Sequence, residues 1–160
     1  MTVISTQKNA QNLTLTVNAE FGADLERVWQ VWEDPRQLER WWGPPTWPAT
    51  FVRHDVGPGG ESRYFMTGPD GTKSRGWWKT TAVSAPTTYE FDDGFAGDDG
   101  EPSGFLGTTH CVVTLEKNPT GTSMRTVTTF ESLEQLEEMI KMGMEEGMRE
   151  AMGQLDALLA

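Results

Sequence analysis

Cysteine and histidine are scarce in this chain of 160 residues, and each shortage excludes a class of site. A single cysteine, Cys111, excludes an intramolecular disulfide and a zinc site built from several thiolates, and it fits a reducing compartment. The two histidines, His54 and His110, are too few for a histidine zinc centre unless carboxylates join them. The alternating residues around Cys111 predict a buried structural thiol rather than a nucleophile.

Positive charge is also in short supply. The 13 Lys and Arg residues against 24 Asp and Glu residues give a formal net charge of −11. Because phosphate binding requires clustered basic residues, this charge argues against nucleic acid and anionic membranes as partners. The chain has no apolar run of about 18 residues, and its first dozen residues lack the apolar stretch of a secretory signal. We therefore expect a cytoplasmic protein with no membrane partner.

Motifs for cofactors and nucleophilic catalysis are missing as well. The sequence has neither a glycine–lysine phosphate loop nor a dinucleotide fingerprint, and no serine lies in a nucleophile elbow. Residues 92–101 gather five carboxylates, but their spacing differs from that of a calcium loop and favours a solvated loop, leaving cation binding open. We expect no metal and no cofactor. With no catalytic constellation identifiable, the sequence favours a protein that is not an enzyme.

The most informative stretch that is present covers residues 133–159. Its helical periodicity predicts one long amphipathic helix, and Ser132 is expected to cap its first turn. At about 1.5 Å per residue such a helix spans roughly 40 Å, enough to cross a small domain. The predicted apolar face consists of Leu136, Ile140, Gly143, Met144, Gly147, Ala151, Leu155 and Leu158.

Two glycines on that face need an explanation, because each costs about 1 kcal/mol relative to alanine inside a helix. Gly143 and Gly147 lie four residues apart and therefore one above the other. One reading is that they let the helix approach a sheet closely, and the other is that they leave room for a ligand. Neighbouring methionines favour the second reading, since flexible thioethers suit adaptable apolar surfaces, although methionine is also ordinary core filling.

The rest of the chain reads as strands and two short helices. We expect residues 1–11 to form a flexible tail, residues 13–21 a strand, and residues 23–34 and 35–42 short helices. Turn residues then separate further strands near 47–56, 61–67, 73–84, 87–95, 105–117 and 122–131. The sequence thus predicts an α+β fold, a curved antiparallel sheet of about six or seven strands wrapped on the long C-terminal helix. Seven tryptophans, most of them between residues 29 and 78, indicate an aromatic-lined interior.

Several motifs together resemble the helix-grip proteins of the START-like (SRPBCC) superfamily, and within it the relatives of the activator of the Hsp90 ATPase. They are ADLERVWQVWEDPRQLERWWGP at 23–44, VGPGGE at 56–61, GPDG at 68–71, SAP at 84–86 and GMEEGMREAMGQLDALL at 143–159. The resemblance implies that residues 12–160 form a single helix-grip domain with an apolar cavity between helix and sheet. Relatives bind varied ligands, and many have no established activity. Met148 stands where relatives often carry tryptophan, which would reshape the pocket wall.

These observations lead to one main hypothesis and two alternatives. The main one is binding of a small apolar or amphipathic molecule in the cavity; the alternatives are a co-chaperone that stimulates an Hsp90-type ATPase, and a cyclase or hydrolase using a cavity histidine. An inward arginine among Arg53, Arg63, Arg75 and Arg125 could clamp a carboxylate. Strand parity and oligomeric state, monomer or homodimer, stay open. The candidate ligand-binding residues are Trp42, Trp47, Phe51, Tyr64, Trp77, Phe91, His110, Ile140, Gly143, Met144, Gly147 and Met148.

Overall fold

One antiparallel sheet carries the fold in the computed structural model, which describes residues 3–160. Its strands are β1 (Val3–Asn9), β2 (Thr14–Phe21), β3 (Ala49–His54), β4 (Glu61–Thr67), β5 (Lys73–Ser84), β6 (Thr88–Ala96), β7 (Thr108–Asn118) and β8 (Gly121–Thr129). They lie in the order β1-β2-β8-β7-β6-β5-β4-β3, with antiparallel neighbours throughout. The helices are α1 (Leu25–Glu33), α2 (Pro35–Leu38), α3 (Leu133–Lys141), α4 (Met144–Gly153) and α5 (Leu155–Leu159).

The predicted helix-grip architecture is confirmed, with eight strands in place of six or seven. All seven predicted strands form, as do both short helices between β2 and β3. Local chemistry sets their ends: the Asp24 carboxylate accepts a hydrogen bond from the Arg27 backbone N–H at 3.2 Å and caps α1. Gly71, with a φ of 87°, supplies the left-handed residue of the turn between β4 and β5.

The eighth strand, β1, corrects the predicted tail at residues 1–11. Val3–Asn9 pairs with β2 along its whole length, from Val3 opposite Glu20 to Asn9 opposite Thr14. The edge strand also reaches the helical layer, because the Thr6 hydroxyl donates a hydrogen bond of 2.6 Å to the Glu145 carboxylate on α4. The first two residues of the predicted tail lie outside the described residues.

The single long helix predicted for residues 133–159 is also wrong, since the segment is broken into α3, α4 and α5. The expected start is confirmed: the Ser132 hydroxyl accepts a hydrogen bond from the Gln135 backbone N–H at 3.0 Å. The first break lies at Gly143, whose φ of 94° and ψ of 19° are left-handed and end the helical path. Gln154 marks the second break, and its side-chain amide donates to the Gly43 carbonyl at 2.7 Å.

Two groups of buried apolar side chains form the interior. The larger cluster lies under α1, α2 and α5 and is centred on Trp32, Trp41 and Trp78. The smaller cluster lies under α3 and consists of Leu15, Phe130, Leu136 and Met139. Met148 packs against both clusters. No helix of the described chain is long and apolar enough to cross a membrane.

Candidate functional site

A cavity of about 320 Å³ lies between the C-terminal helices and the sheet. Three parts of the chain line it: the sheet, the helical segment from α3 to α4, and the segment that follows α2. The sheet contributes Tyr64, Met66, Asp93, Gly94, Phe95, Thr109, Cys111 and Thr128. The helical segment contributes Met139, Met142, Gly143, Met144, Gly147, Met148, Ala151 and Met152, and the segment after α2 contributes Trp41, Trp42 and Pro44.

Methionine dominates the helical side of this cavity. Six of the chain's eight methionines are in the lining, five of them from the helical segment. Their unbranched thioether chains adapt to irregular apolar shapes better than branched side chains do. Met142 is 55% exposed and neighbours the exposed Gly143, so the break between α3 and α4 lies at the solvent-facing rim. The wall beneath that rim is therefore both apolar and deformable.

The two glycines of the helical segment have different structural reasons. Gly143 adopts the left-handed conformation that the helix break requires. Gly147 has ordinary helical backbone, and a Cβ built on it would meet no atom within 4 Å. The same holds for a Cβ on Gly143. Neither glycine therefore lies against a strand. Gly147 lines the cavity, and the absence of a side chain there leaves open space.

Aromatic rings from the larger cluster form the opposite wall. Trp42 contacts Trp78 edge-on, with ring centroids 4.7 Å apart, and Tyr64 at 6.3 Å. Two further rings lie behind this wall: Phe51 stacks on Tyr64 at 4.9 Å and Phe91 stacks on Trp78 at 4.2 Å. The rings support each other, so the aromatic wall is rigid where the methionine wall is adaptable.

Tyr64 brings a hydroxyl group to this wall. Burial raises the pKa of that hydroxyl, the Asp93 carboxylate raises it further, and the Trp42 and Trp78 indole N–H groups oppose the shift. Neither indole nitrogen makes a hydrogen bond of regular geometry within the described chain. The Tyr64 hydroxyl is therefore neutral at physiological pH and offers a ligand a donor and an acceptor.

Asp93 is the one charged residue that the described part of the chain contributes to the cavity lining. It lies on β6 between Trp78 of β5 and Thr109 of β7, and the Thr109 hydroxyl donates a hydrogen bond to the Asp93 carboxylate. Burial raises the pKa of Asp93 to about 6; the neighbouring Asp92 adds to the shift, while Thr109 and His110 oppose it. The side chain is half-buried, with the cavity as its open side. A carboxylate at neutral pH thus faces an otherwise uncharged cavity.

Cys111 of β7 and Thr128 of β8, paired opposite each other, are two further neutral polar residues of the lining. The predicted structural character of Cys111 agrees with its burial, which together with the Asp93 charge raises the pKa of the thiol well above its usual range. A thiol held neutral in this way is a weak nucleophile. The floor of the cavity therefore offers hydrogen bonds but no activated sulfur.

Half of the twelve predicted site residues line the cavity, and half do not. Trp47 packs over Gly68, where an added Cβ would lie 2.7 Å from its ring, and Trp77 lies on the outer face against Gly94. Ile140 packs against the smaller cluster beside the cavity. Phe51 and Phe91 stand behind the aromatic wall as described. The residues in the lining are Trp42, Tyr64, Gly143, Met144, Gly147 and Met148.

The sixth residue outside the lining is His110. The predicted histidine in the cavity is therefore not found there. It lies across the sheet between Asp92, at 2.7 Å from Nδ1, and Glu90, at 3.4 Å from Nε2. Burial lowers its pKa, but these two carboxylates outweigh burial and leave the pKa raised. The ring is 37% exposed and forms an ion pair when protonated.

The other histidine, His54, is held by structural hydrogen bonds. Its Nε2 lies 2.7 Å from the Trp32 carbonyl, and its Nδ1 lies 2.7 Å from the Ser62 hydroxyl. Because a carbonyl can only accept, Nε2 carries the hydrogen and Ser62 donates to Nδ1. Burial lowers the pKa of His54, which keeps this neutral form. None of the four candidate arginines lines the cavity in the described chain, so the predicted carboxylate clamp is absent there.

The acidic segment 92–101 divides into strand and turn: residues 92–96 belong to β6, whereas residues 97–101 form the expected solvated turn, in which Asp98, Asp99 and Glu101 are exposed. Asp92 and Asp93 belong to β6, where one faces His110 and the other the cavity. Glu101 accepts a hydrogen bond from Arg63 at 3.1 Å. Across residues 3–160, no three His, Cys, Asp or Glu side chains are grouped so that they could hold a metal ion.

Comparison with known proteins places this geometry in a family. The profile described as "Activator of Hsp90 ATPase homolog 1-like protein" matches residues 22–160. A protein from Arthrobacter aurescens, solved by NMR, is 57% identical, covers 97% of this chain and 90% of that chain, and has a TM-score of 0.93. The crystal structure of protein Ms6760 from Mycobacterium smegmatis has a TM-score of 0.91. That protein is 45% identical, and the match covers 99% of this chain and 98% of Ms6760. Curated proteins give no match. The chain belongs to the family of Activator of Hsp90 ATPase homolog 1-like proteins and has their START-like helix-grip fold.

Proposed function

We propose that this protein binds a small apolar or amphipathic molecule in the cavity between its C-terminal helices and its sheet. The observation that carries the proposal is the cavity of about 320 Å³ whose helical wall is built almost entirely of methionine, alanine and glycine. Ligand sites in proteins enclose about 300–1000 Å³, so this cavity suits a small molecule rather than a long lipid chain.

The energetics of such binding follow from the lining. Apolar burial contributes about 25 cal/mol per Å² of surface removed from water, and the methionine wall can move to meet different shapes. The Tyr64, Thr109 and Thr128 hydroxyls and the Asp93 carboxylate supply a few polar contacts in an otherwise apolar wall. Those contacts would fix the orientation of an amphipathic ligand.

Titration with 1-octanol, followed by tryptophan fluorescence and by calorimetry, tests the proposal. Trp41 and Trp42 lie in the lining, so a bound ligand changes the environment of both indoles. The variant Gly147→Trp places an indole in the open space beside Gly147 and is expected to weaken octanol binding at least about tenfold. Gly153→Trp is the matched control, because Gly153 lies in the same helix, is exposed and is outside the lining.

Two outcomes would contradict the proposal. Undetectable octanol binding by the unaltered protein, in both fluorescence and calorimetry, would remove the cavity as an apolar site. Equal octanol affinity in the Gly147→Trp and Gly153→Trp variants would place the bound octanol elsewhere. A circular dichroism spectrum for each variant establishes that the fold is retained.

Fewer observations support the two alternative functions. Stimulation of a heat-shock chaperone's ATPase rests on the family description, "Activator of Hsp90 ATPase homolog 1-like protein", and stays a prediction that an ATPase assay with purified chaperone would test. Catalysis by a cavity histidine is not proposed, because His54 and His110 both lie outside the lining. A single cysteine continues to favour a cytoplasmic site of action.

A further inference from the structure

We propose that the molecule bound in the cavity is an organic cation, an apolar body bearing a protonated amine, and that Asp93 is its counter-ion. This inference rests on the proposed function and specifies its ligand class. It departs from the sequence-based expectation of an arginine that clamps a carboxylate ligand. The charge that the described residues bring to the cavity is negative, so the site favours a cation over a carboxylate.

The charge pattern of the lining carries the proposal. The lining contributed by the described residues contains one carboxylate and no basic side chain. Asp93 accepts a hydrogen bond from Thr109, and no ion pair formed within residues 3–160 includes it. Arg63 on β4, next to Tyr64 in the chain, is already paired with Glu61 at 2.8 Å and with Glu101 at 3.1 Å.

A carboxylate in such a place is electrostatically incomplete. Removing a charge from water is unfavourable unless a partner charge and hydrogen bonds replace the lost hydration. A ligand ammonium group would supply both, and the rings of Trp42, Tyr64 and Phe95 in the lining offer faces that attract cations. A carboxylate ligand would instead meet like charge at close range. The net charge of −11 also attracts cations to the protein.

The groups around Asp93 decide how its charge responds to pH. Asp92 and His110 act from the other face of the sheet, while Tyr64 and Cys111 share its side. Both Tyr64 and Cys111 stay neutral at physiological pH because burial raises their pKa. The helical segment adds no titratable group to the lining. Asp93 therefore controls the charge of the cavity.

Three probes with the same apolar chain test the ligand class: octylamine, 1-octanol and octanoate, each titrated by calorimetry at about pH 8, where both probe charges are fully developed. We expect octylamine to bind about ten to a hundred times more tightly than octanol, as a charge-assisted hydrogen bond would give. Octanoate is expected to bind more weakly than octanol.

Matched variants identify the residue responsible. Asp93→Asn keeps the size of the side chain and an acceptor for Thr109, and it is expected to reduce octylamine affinity to the octanol level. Asp92→Asn removes the same formal charge on the neighbouring residue of β6, outside the lining, and is expected to leave octylamine affinity within about twofold.

A pH series on the unaltered protein gives a second reading that needs no variant. An alkylammonium group, like that of lysine with its pKa of about 10.4, stays protonated below pH 8. Because the pKa of Asp93 is raised to about 6, octylamine affinity should fall about tenfold between pH 8 and pH 5, while octanol affinity holds. In Asp93→Asn the octylamine affinity should be independent of pH.

The outcomes separate this inference from the proposed function. Octanol that binds as tightly as octylamine, or an Asp93→Asn variant that keeps the preference for octylamine, would overturn the cation while leaving apolar binding intact. Equal losses in the Asp92→Asn and Asp93→Asn variants would assign the preference to overall charge and overturn the role of Asp93. No binding by any of the three probes would overturn both proposals.

Discussion

Asp93 couples the cavity to the stability of the fold through its half-buried carboxyl group. Its folded-state pKa of about 6 lies above the ordinary value of 3.8, so the folded protein prefers the protonated form. The contribution of Asp93 to the free energy of unfolding is therefore greatest below pH 3.8. It falls as the pH rises toward 6 and is constant above that, as the carboxylate becomes charged.

We expect Asp93→Asn to raise the free energy of unfolding at pH 8 by about 2 kcal/mol, because an amide has no charge to desolvate. At about pH 4 the carboxyl of Asp93 is largely protonated in the folded protein, and the variant should differ little from the unaltered chain. Urea unfolding of both proteins at the two pH values measures the difference. A gain of the same size at both would show that shape, not charge, distinguishes the variant.

The position of Asp93 could have been predicted from the sequence. Tyr89, Phe91 and Phe95 alternate along β6, and residue 93 is the polar member of that same face. The strand predicted near residues 87–95 contains this alternation, but the acidic residues that follow drew Asp92 and Asp93 into the predicted loop at 92–101. Trp77 and Trp78 gave no such signal, because adjacent tryptophans fit either face equally well until β5 is paired with its neighbours.

Among the elements, strands and short helices with a clear pattern were predictable. β2 alternates apolar and polar residues, and α1 has both a capping aspartate and buried residues at helical spacing. β1 was missed because VISTQKN lacks an apolar face after its second residue, and only pairing with β2 makes it a strand. An edge strand of this kind is defined by its neighbour rather than by its own sequence.

The break between α3 and α4 was hidden for a related reason. Gly143 and Gly147 look alike in the sequence, four residues apart on one predicted face. They differ in backbone conformation, since Gly143 has a φ of 94° and Gly147 continues a helix. Periodicity carries over the break because only two residues, Met142 and Gly143, separate the two helices.

Alanine substitution should therefore act in opposite directions at these two glycines. Neither added Cβ would meet an atom within 4 Å, so the effects are conformational. Gly143→Ala is expected to lower the free energy of unfolding by about 1–2 kcal/mol, because a Cβ is strained in the left-handed region. Gly147→Ala should raise it by about 0.5–1 kcal/mol through helix propensity.

Urea unfolding of the two variants beside Gly153→Ala checks this expectation. Gly153 also has open space around an added Cβ and belongs to α4, so its variant shows the effect of an ordinary helical position in the same helix. Equal effects at positions 143 and 147 would mean that α3 and α4 form one continuous helix in solution.

At the scale of the whole molecule, the cavity separates two clusters of buried side chains. Leu136 and Met139 of α3 belong to the smaller cluster, whereas Met152 of α4 and Leu155 of α5 belong to the larger one. The break at Gly143 lets each part of the helical segment pack on its own cluster. The single straight helix predicted from the sequence would have to cross both clusters in one direction.

The net charge of −11 is the other property that belongs to the molecule as a whole. Like charges on a compact surface repel one another, and dissolved salt screens that repulsion. The chain's pI of about 4.5 gives a condition in which the repulsion nearly vanishes without any substitution. Salt should therefore stabilise the protein at neutral pH and have little effect near the pI.

We expect the thermal unfolding midpoint at about pH 7.5 to rise by several degrees between 0.01 M and 0.15 M sodium chloride, as the Debye length falls from ~30 Å to ~8 Å. At pH 4.5 the same salt change should shift the midpoint by much less, because acidic and basic charges nearly balance. Differential scanning calorimetry at both pH values measures the two shifts. Equal shifts would point to a direct effect of salt on apolar burial, and a fall at pH 7.5 would mean that local ion pairs such as Arg63 with Glu61 outweigh the net repulsion.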